Sequence, residues 1–167
     1  MNEVSRVVMF ASFLAVFSIV GCQQLPDSRG GEGDAMADAA IRKQIVDTLQ
    51  TQARAWTDND LDGFMIGFHR SPDLCFAHPK GITLGYETVR GWYSQSIENS
   101  DLRFTDLDVT VLSPDAAVVF GQFHNTMKDG NYATGLFTLL MRKIDGRWVV
   151  VHDHSSDLPA DWAADSP

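Results

Sequence analysis

Four of the five histidines, His78, His124, His152 and His154, fall on strand-like segments. Imidazole has an unperturbed pKa of about 6.5, so it takes up and releases protons near neutrality. His152 and His154 belong to Arg147-Trp-Val-Val-Val-His-Asp-His-Ser155, which reads as a strand. Strict alternation along it would set Trp148, Val150, His152 and His154 on one face. An apolar strand that ends in two imidazoles on one side points to a site at its far end. His78 stands just before Pro79, at the end of a shorter strand. The expectation is therefore one cavity faced by His78 and His154, with acid–base chemistry between them and with His124, Asn125, Arg142 and His152 as further polar groups. Trp56, Phe76, Trp92, Tyr93, Phe120, Phe123 and Phe137 would supply its aromatic lining, an apolar pocket with few polar groups being the common form of a small-molecule site. Each of these residues also has a structural reading: the histidines as hydrogen-bonding strand ends, the aromatics as core, Arg142 as half of a strand-end ion pair. His152-x-His154 has the spacing of two metal ligands on a strand. No third ligand can be placed beside them from the sequence, so neither metal nor cofactor is expected.

The elements that must position these groups are legible from periodicity. Ile41, Ile45, Leu49, Ala53 and Trp56 recur every three or four residues and predict an amphipathic helix, with Asp38 as its N-cap. Thr57-Asp-Asn-Asp60 breaks it, and Leu61, Phe64, Met65 and Phe68 mark a second, shorter helix. Asp73 to His78 reads as a strand turned by Pro79-Lys-Gly81, and a third helix follows Gly85 with Tyr86, Val89, Tyr93 and Ile97 on one face. From Arg103 the period becomes two. Arg103–Leu112, Ala116–Thr126, Tyr132–Lys143 and Arg147–Ser155 are four strands joined by Ser113-Pro-Asp115, Lys128-Asp-Gly130 and Asp145-Gly146, which are sound turn sequences. Helices followed by an antiparallel meander predict an α+β fold with helices on one face of a curved sheet.

The 167 residues carry a formal net charge of −9, and the pI is about 4.8. Nucleic acid is excluded as an expected partner, because 13 Lys and Arg against 22 Asp and Glu leave no basic stripe for phosphates. Val7 to Val20 is apolar apart from Ser12 and Ser18, too short to span a bilayer, and ends at Gly21-Cys22. Ile19-Val-Gly-Cys22 looks like a bacterial lipobox. Residues 1–22 are thus expected to be a signal segment that leaves Cys22 lipidated, with the domain exported and anchored on the periplasmic or outer side of a membrane. Residues 23–37 would be a flexible linker, 38–156 the folded domain, and 157–167 an acidic tail in which Trp162 could dock. With Cys22 acylated, Cys75 has no intrachain disulfide partner and reads as a small buried hydrophobe.

The segment 38–156 resembles SnoaL-like domains of the nuclear transport factor 2-like superfamily. The marks are Trp56-Thr-Asp-Asn-Asp-Leu-Asp62, Gly85-Tyr-Glu87 opening the third helix, Phe137-Thr138, and Gly146-Arg-Trp148 leading to His154-Ser-Ser156. The resemblance implies a cone-shaped fold, no metal, and a homodimer through the open sheet face. It also puts His78 where ketosteroid isomerases of this superfamily carry a basic Asp before Pro. Gln52 then stands near their Tyr donor and Leu139 near their neutral Asp donor. Leu139 cannot donate a hydrogen bond, so steroid-type isomerisation is not expected. The reading is an exported domain that binds a small apolar molecule in a His-lined pocket, with isomerase, dehydratase or cyclase chemistry open to it. The alternative is a non-catalytic dimerisation or protein-interaction module.

Overall fold

In a computed structural model, the structure describes residues 32–98 and 100–159. The expected signal segment, Cys22 and Trp162 lie outside the described residues. Among the described residues, no helix is long and apolar enough to cross a membrane.

Helix α1 spans Glu32–Thr57, α2 Leu61–Met65 and α3 Tyr86–Ser94. Strands are β1 Cys75–His78, β2 Gly81–Leu84, β3 Ser100–Ser113, β4 Ala116–Met127, β5 Tyr132–Ile144 and β6 Arg147–Asp157. The fold is α+β: α1 packs across one curved, unclosed sheet of order β2-β1-β6-β5-β4-β3. All neighbours are antiparallel except β1 and β6. That parallel pair needs the long crossover that the meander supplies.

Three details differ from the sequence reading. Helix α1 begins at Glu32, so Asp38 is inside it rather than capping it; Ala35, Ala37, Ala39 and Ala40 favour helix strongly enough to carry it upstream. The turn after His78 opens a hairpin, so β2 occupies residues read as a connection to α3. Helix α2 is capped by Asp60, whose Oδ1 accepts from Gly63 N at 2.9 Å.

The third difference decides the site. Partners run Met141 to Val150 and then Leu140 to His152, which leaves Val151 as an extra residue in β6. A bulge of this kind shifts the strand by one position, and a one-residue shift sends every following side chain to the other face. Trp148 and Val150 point into the core as expected. Beyond Val151, Asp153 turns inward and is 5% exposed, whereas His152 and His154 lie exposed on the outer face. Main-chain bonds brace this point: Val150 N donates to Gly67 O at 2.8 Å, and His69 N donates to Val150 O at 2.9 Å.

The core lies between α1 and the sheet. Ile45, Leu49, Met65, Val89, Val119, Met141 and Val150 are fully buried there. Trp148 is buried, and its indole N–H donates to Gln44 Oε1 on α1 at 3.2 Å. It therefore joins the last strand to the first helix.

Candidate functional site

The concave face of the sheet, α1 and α3 enclose a cavity of about 260 Å³. Its walls are mainly aromatic, as the alternation of β4 and β5 and the periodicity of α1 and α3 dictate. Tyr93 occupies the centre of a ring cluster: Phe64, Phe76, Trp92, Phe68 and Trp56 lie 5.0, 5.2, 5.3, 5.6 and 5.8 Å from it between centroids. Five neighbouring rings leave Tyr93 few alternative rotamers, which fixes where its hydroxyl points.

That hydroxyl donates to Asp153 Oδ2 at 3.0 Å, while Ser155 Oγ donates to Asp153 Oδ1 at 2.8 Å. Asp153 is buried against the cavity, and burial pushes its carboxyl up to about 6. The hydrogen bonds from Ser155 and Tyr93, and the nearby charge of His154, pull in the opposite direction without cancelling it. Burial and the facing carboxyl hold Tyr93 well above its ordinary range, so its phenol stays protonated. A carboxyl that titrates near neutrality beside a fixed phenol donor is equipped to accept and return a proton. Asp153, Tyr93 and Ser155 all line the cavity.

His78 lines the cavity as well, at its rim beside Pro79. Its ring lies 4.8 Å from Phe76 and 5.1 Å from Trp92, and Nε2 is 3.1 Å from Thr83 Oγ1. Trp56, Phe76, Trp92, Tyr93, Phe123, Phe137 and Asn125 also line it, whereas Phe120 alternates to the outer face of β4 and is 44% exposed. The remaining expected residues do not. His154 and His152 are exposed on the opposite face because of the Val151 bulge, so His154 does not share a cavity with His78. His124 alternates with the lining residues Phe123 and Asn125, and its ring bonds instead to Thr105 and Thr134 at 2.8 and 3.2 Å and to Tyr132. Arg142 forms an ion pair with Asp115 at 2.8 Å, away from the cavity. Among the described residues, no group of three or more His, Cys, Asp or Glu side chains could hold a metal ion. Cys75 is a free, half-buried thiol paired across the sheet with His152, outside the cavity.

Asp153 and Ser155 are the site residues that sequence reasoning missed; Gln52, which the resemblance sets near a donor position, also lines the cavity. Trp148-Val-Val-Val151 is a continuous apolar run, which by itself does not assign faces. It was the available warning that alternation could slip before Asp153.

The SnoaL-like domain family matches residues 45–161. No curated protein matches the chain significantly. Among solved structures, an NTF-2-like protein of unknown function from Shewanella oneidensis MR-1 is 34% identical; the match covers 69% of this chain and 98% of that one, with a TM-score of 0.64. An NTF2-like superfamily protein from Salmonella enterica serovar Typhimurium LT2 is 20% identical over 78% of this chain and 99% of its own, with a TM-score of 0.66. A ketosteroid isomerase-like protein from Erwinia carotovora atroseptica SCRI1043 is 19% identical over 70% and 95%, with a TM-score of 0.59. The last two likenesses concern the fold alone. The ring-lined cavity under a curved sheet, the order of the elements and the match over most of the chain lead to one assignment: the chain belongs to the SnoaL-like domain family of the nuclear transport factor 2-like superfamily.

Proposed function

We propose that this domain binds a small, largely apolar molecule in its cavity and that Asp153 transfers a proton on it. One observation carries the reading: a buried carboxyl, raised to about 6, sits on the wall of an aromatic cavity with both oxygens held by fixed donors. Above that value the carboxylate can take a proton from a bound molecule. Each of its oxygens retains a lone pair beyond the hydrogen bond already made. Tyr93 then stabilises the ionised form and Ser155 fixes the plane of the carboxyl. The aromatic walls exclude water, which strengthens every electrostatic contact inside. His78 at the rim would orient the occupant.

The proposal is tested by incubating the protein in D₂O with apolar cyclic ketones such as 2-tetralone and following deuterium uptake beside the carbonyl by mass spectrometry. Uptake faster than in buffer, and lost in Asp153→Asn, is the expected result. Equal uptake by wild type and variant would remove Asp153 from the chemistry.

A second reading concerns the outer sheet face, where Phe120, Leu140, Ile82 and Leu84 are exposed. We propose that two copies pair through it, as the resemblance implies. Light scattering should then give twice the chain mass, falling to one chain mass in Phe120→Glu; a monomeric wild type would contradict the pairing.

The N-terminal sequence supports export and lipid anchoring. Mass spectrometry of protein from its host should find Cys22 as a diacylated first residue, and an intact Met1 would contradict it.

A further inference from the structure

Two buried oxygens on the cavity wall, Gln52 Oε1 and Asn125 Oδ1, accept no hydrogen bond from any described residue. Gln52 is 3% exposed and lies on the inner face of α1. Its amide orientation is fixed, because Nε2 donates to the Phe64 carbonyl at 3.0 Å and the reverse orientation would set two acceptors against each other. The amide is also wedged over Gly67: a Cβ there would lie 2.1–2.5 Å from the Gln52 amide atoms. Oε1 therefore cannot turn away to find a donor elsewhere. Asn125 is on β4, six residues beyond Val119, which lies level with Leu139 and Asp153 across the sheet. The two acceptors thus come from different walls of the cavity, Gln52 from α1 beside Phe64 and Asn125 from β4. Buried acceptors without donors are rare and destabilising in folded proteins, which makes a pair of them on one cavity wall a specification of what enters.

Resting on the small-molecule reading above, we propose that the occupant is a neutral, ring-bearing molecule with two hydrogen-bond donors, hydroxyl or N–H, one met by Gln52 and one by Asn125. Neutrality follows from the lining: apart from the carboxyls of Asp153 and Asp157 and the imidazole of His78 at the rim, the wall offers no ionisable side chain with a charge to match, and it has no Lys or Arg for an anion. A carboxylate or phosphate group is therefore excluded from the buried part of the occupant. Rings are favoured by the edge and face contacts that the aromatic walls present.

The test uses the wild-type protein and three related probes, 4,4′-dihydroxybiphenyl, 4-hydroxybiphenyl and biphenyl, with 4,4′-dimethoxybiphenyl as a probe that keeps the oxygens but removes the donors. Calorimetry or fluorescence should show binding that tightens by about tenfold with each hydroxyl. The dimethoxy compound should bind no better than biphenyl. Gln52→Met and Asn125→Leu should each abolish about one tenfold step for the dihydroxy probe and leave biphenyl unchanged. The wild-type comparison alone decides if a variant does not fold. Equal affinity across the four probes would overturn the two-donor inference and leave an apolar binding pocket standing. Absence of binding by all four would overturn both.

Discussion

Asp153→Asn should make the protein more stable at pH 8 while abolishing proton transfer. The ordinary value for an Asp carboxyl is 3.8, and in the folded chain burial lifts Asp153 to about 6. Between these values the folded chain keeps a proton that the unfolded chain has released, so protons favour the folded state. Stability due to this group is therefore complete below about pH 4 and declines as pH rises through 6. A displacement of about two pKa units corresponds to roughly 3 kcal/mol of lost stability at pH 8. Asparagine has no charge to bury, and the Ser155 and Tyr93 hydroxyls can each donate or accept to suit its amide. Urea unfolding should give a variant about as stable as wild type near pH 4 and more stable at pH 8, by up to about 3 kcal/mol. Equal destabilisation at both pH values would mean that Asp153 is an ordinary structural carboxylate. A site that lowers stability in return for reactivity is a known compromise in enzymes.

Trp148→Ala should have the largest effect on folding. Trp148 is 4% exposed and sits between β6 and α1, with its N–H on Gln44. Truncation removes a large buried aromatic, leaves a void where α1 meets the last strand, and removes the hydrogen bond to Gln44. Comparable substitutions cost about 3–5 kcal/mol, a large fraction of the 5–15 kcal/mol typical of a whole domain. The melting temperature should fall sharply, by roughly ten degrees or more for a domain of this size. An unchanged melting temperature would place the indole outside the core.

Much of this fold was legible because period and punctuation agree over long segments. The four meander strands, the Asp145-Gly146 turn and the apolar faces of α1 and α3 all follow from local pattern. Strand β2 was not legible: Gly81-Ile-Thr-Leu84 is four residues of an edge hairpin, with Ile82 and Leu84 facing outward and no buried face to give a pattern. The aromatic side of the cavity was also readable, since Trp56, Tyr93 and Phe76 lie on faces that local periodicity assigns. Its polar side was not. Alternation through Trp148-Val-Val-Val151 put the histidines inside, and one extra residue at Val151 exchanged them for Asp153 and Ser155. That bulge depends on partners distant in sequence, Leu140 and Met141 on β5 and the Gly67–His69 segment that braces Val150. No local signal encodes such a partner, so the inward-facing titratable residue of β6 is Asp153, one position from each histidine that strict alternation puts inside.

The most direct measurement is the titration of the Asp153 side-chain carboxyl by ¹³C NMR in the wild-type protein, with its resonance identified by its loss in Asp153→Asn. A midpoint near 6, moving when an apolar ketone such as 2-tetralone is added, is the result expected of a buried proton-transfer group on the cavity wall. A midpoint at the ordinary carboxyl value, insensitive to the ketone, would contradict both the burial of Asp153 and its role.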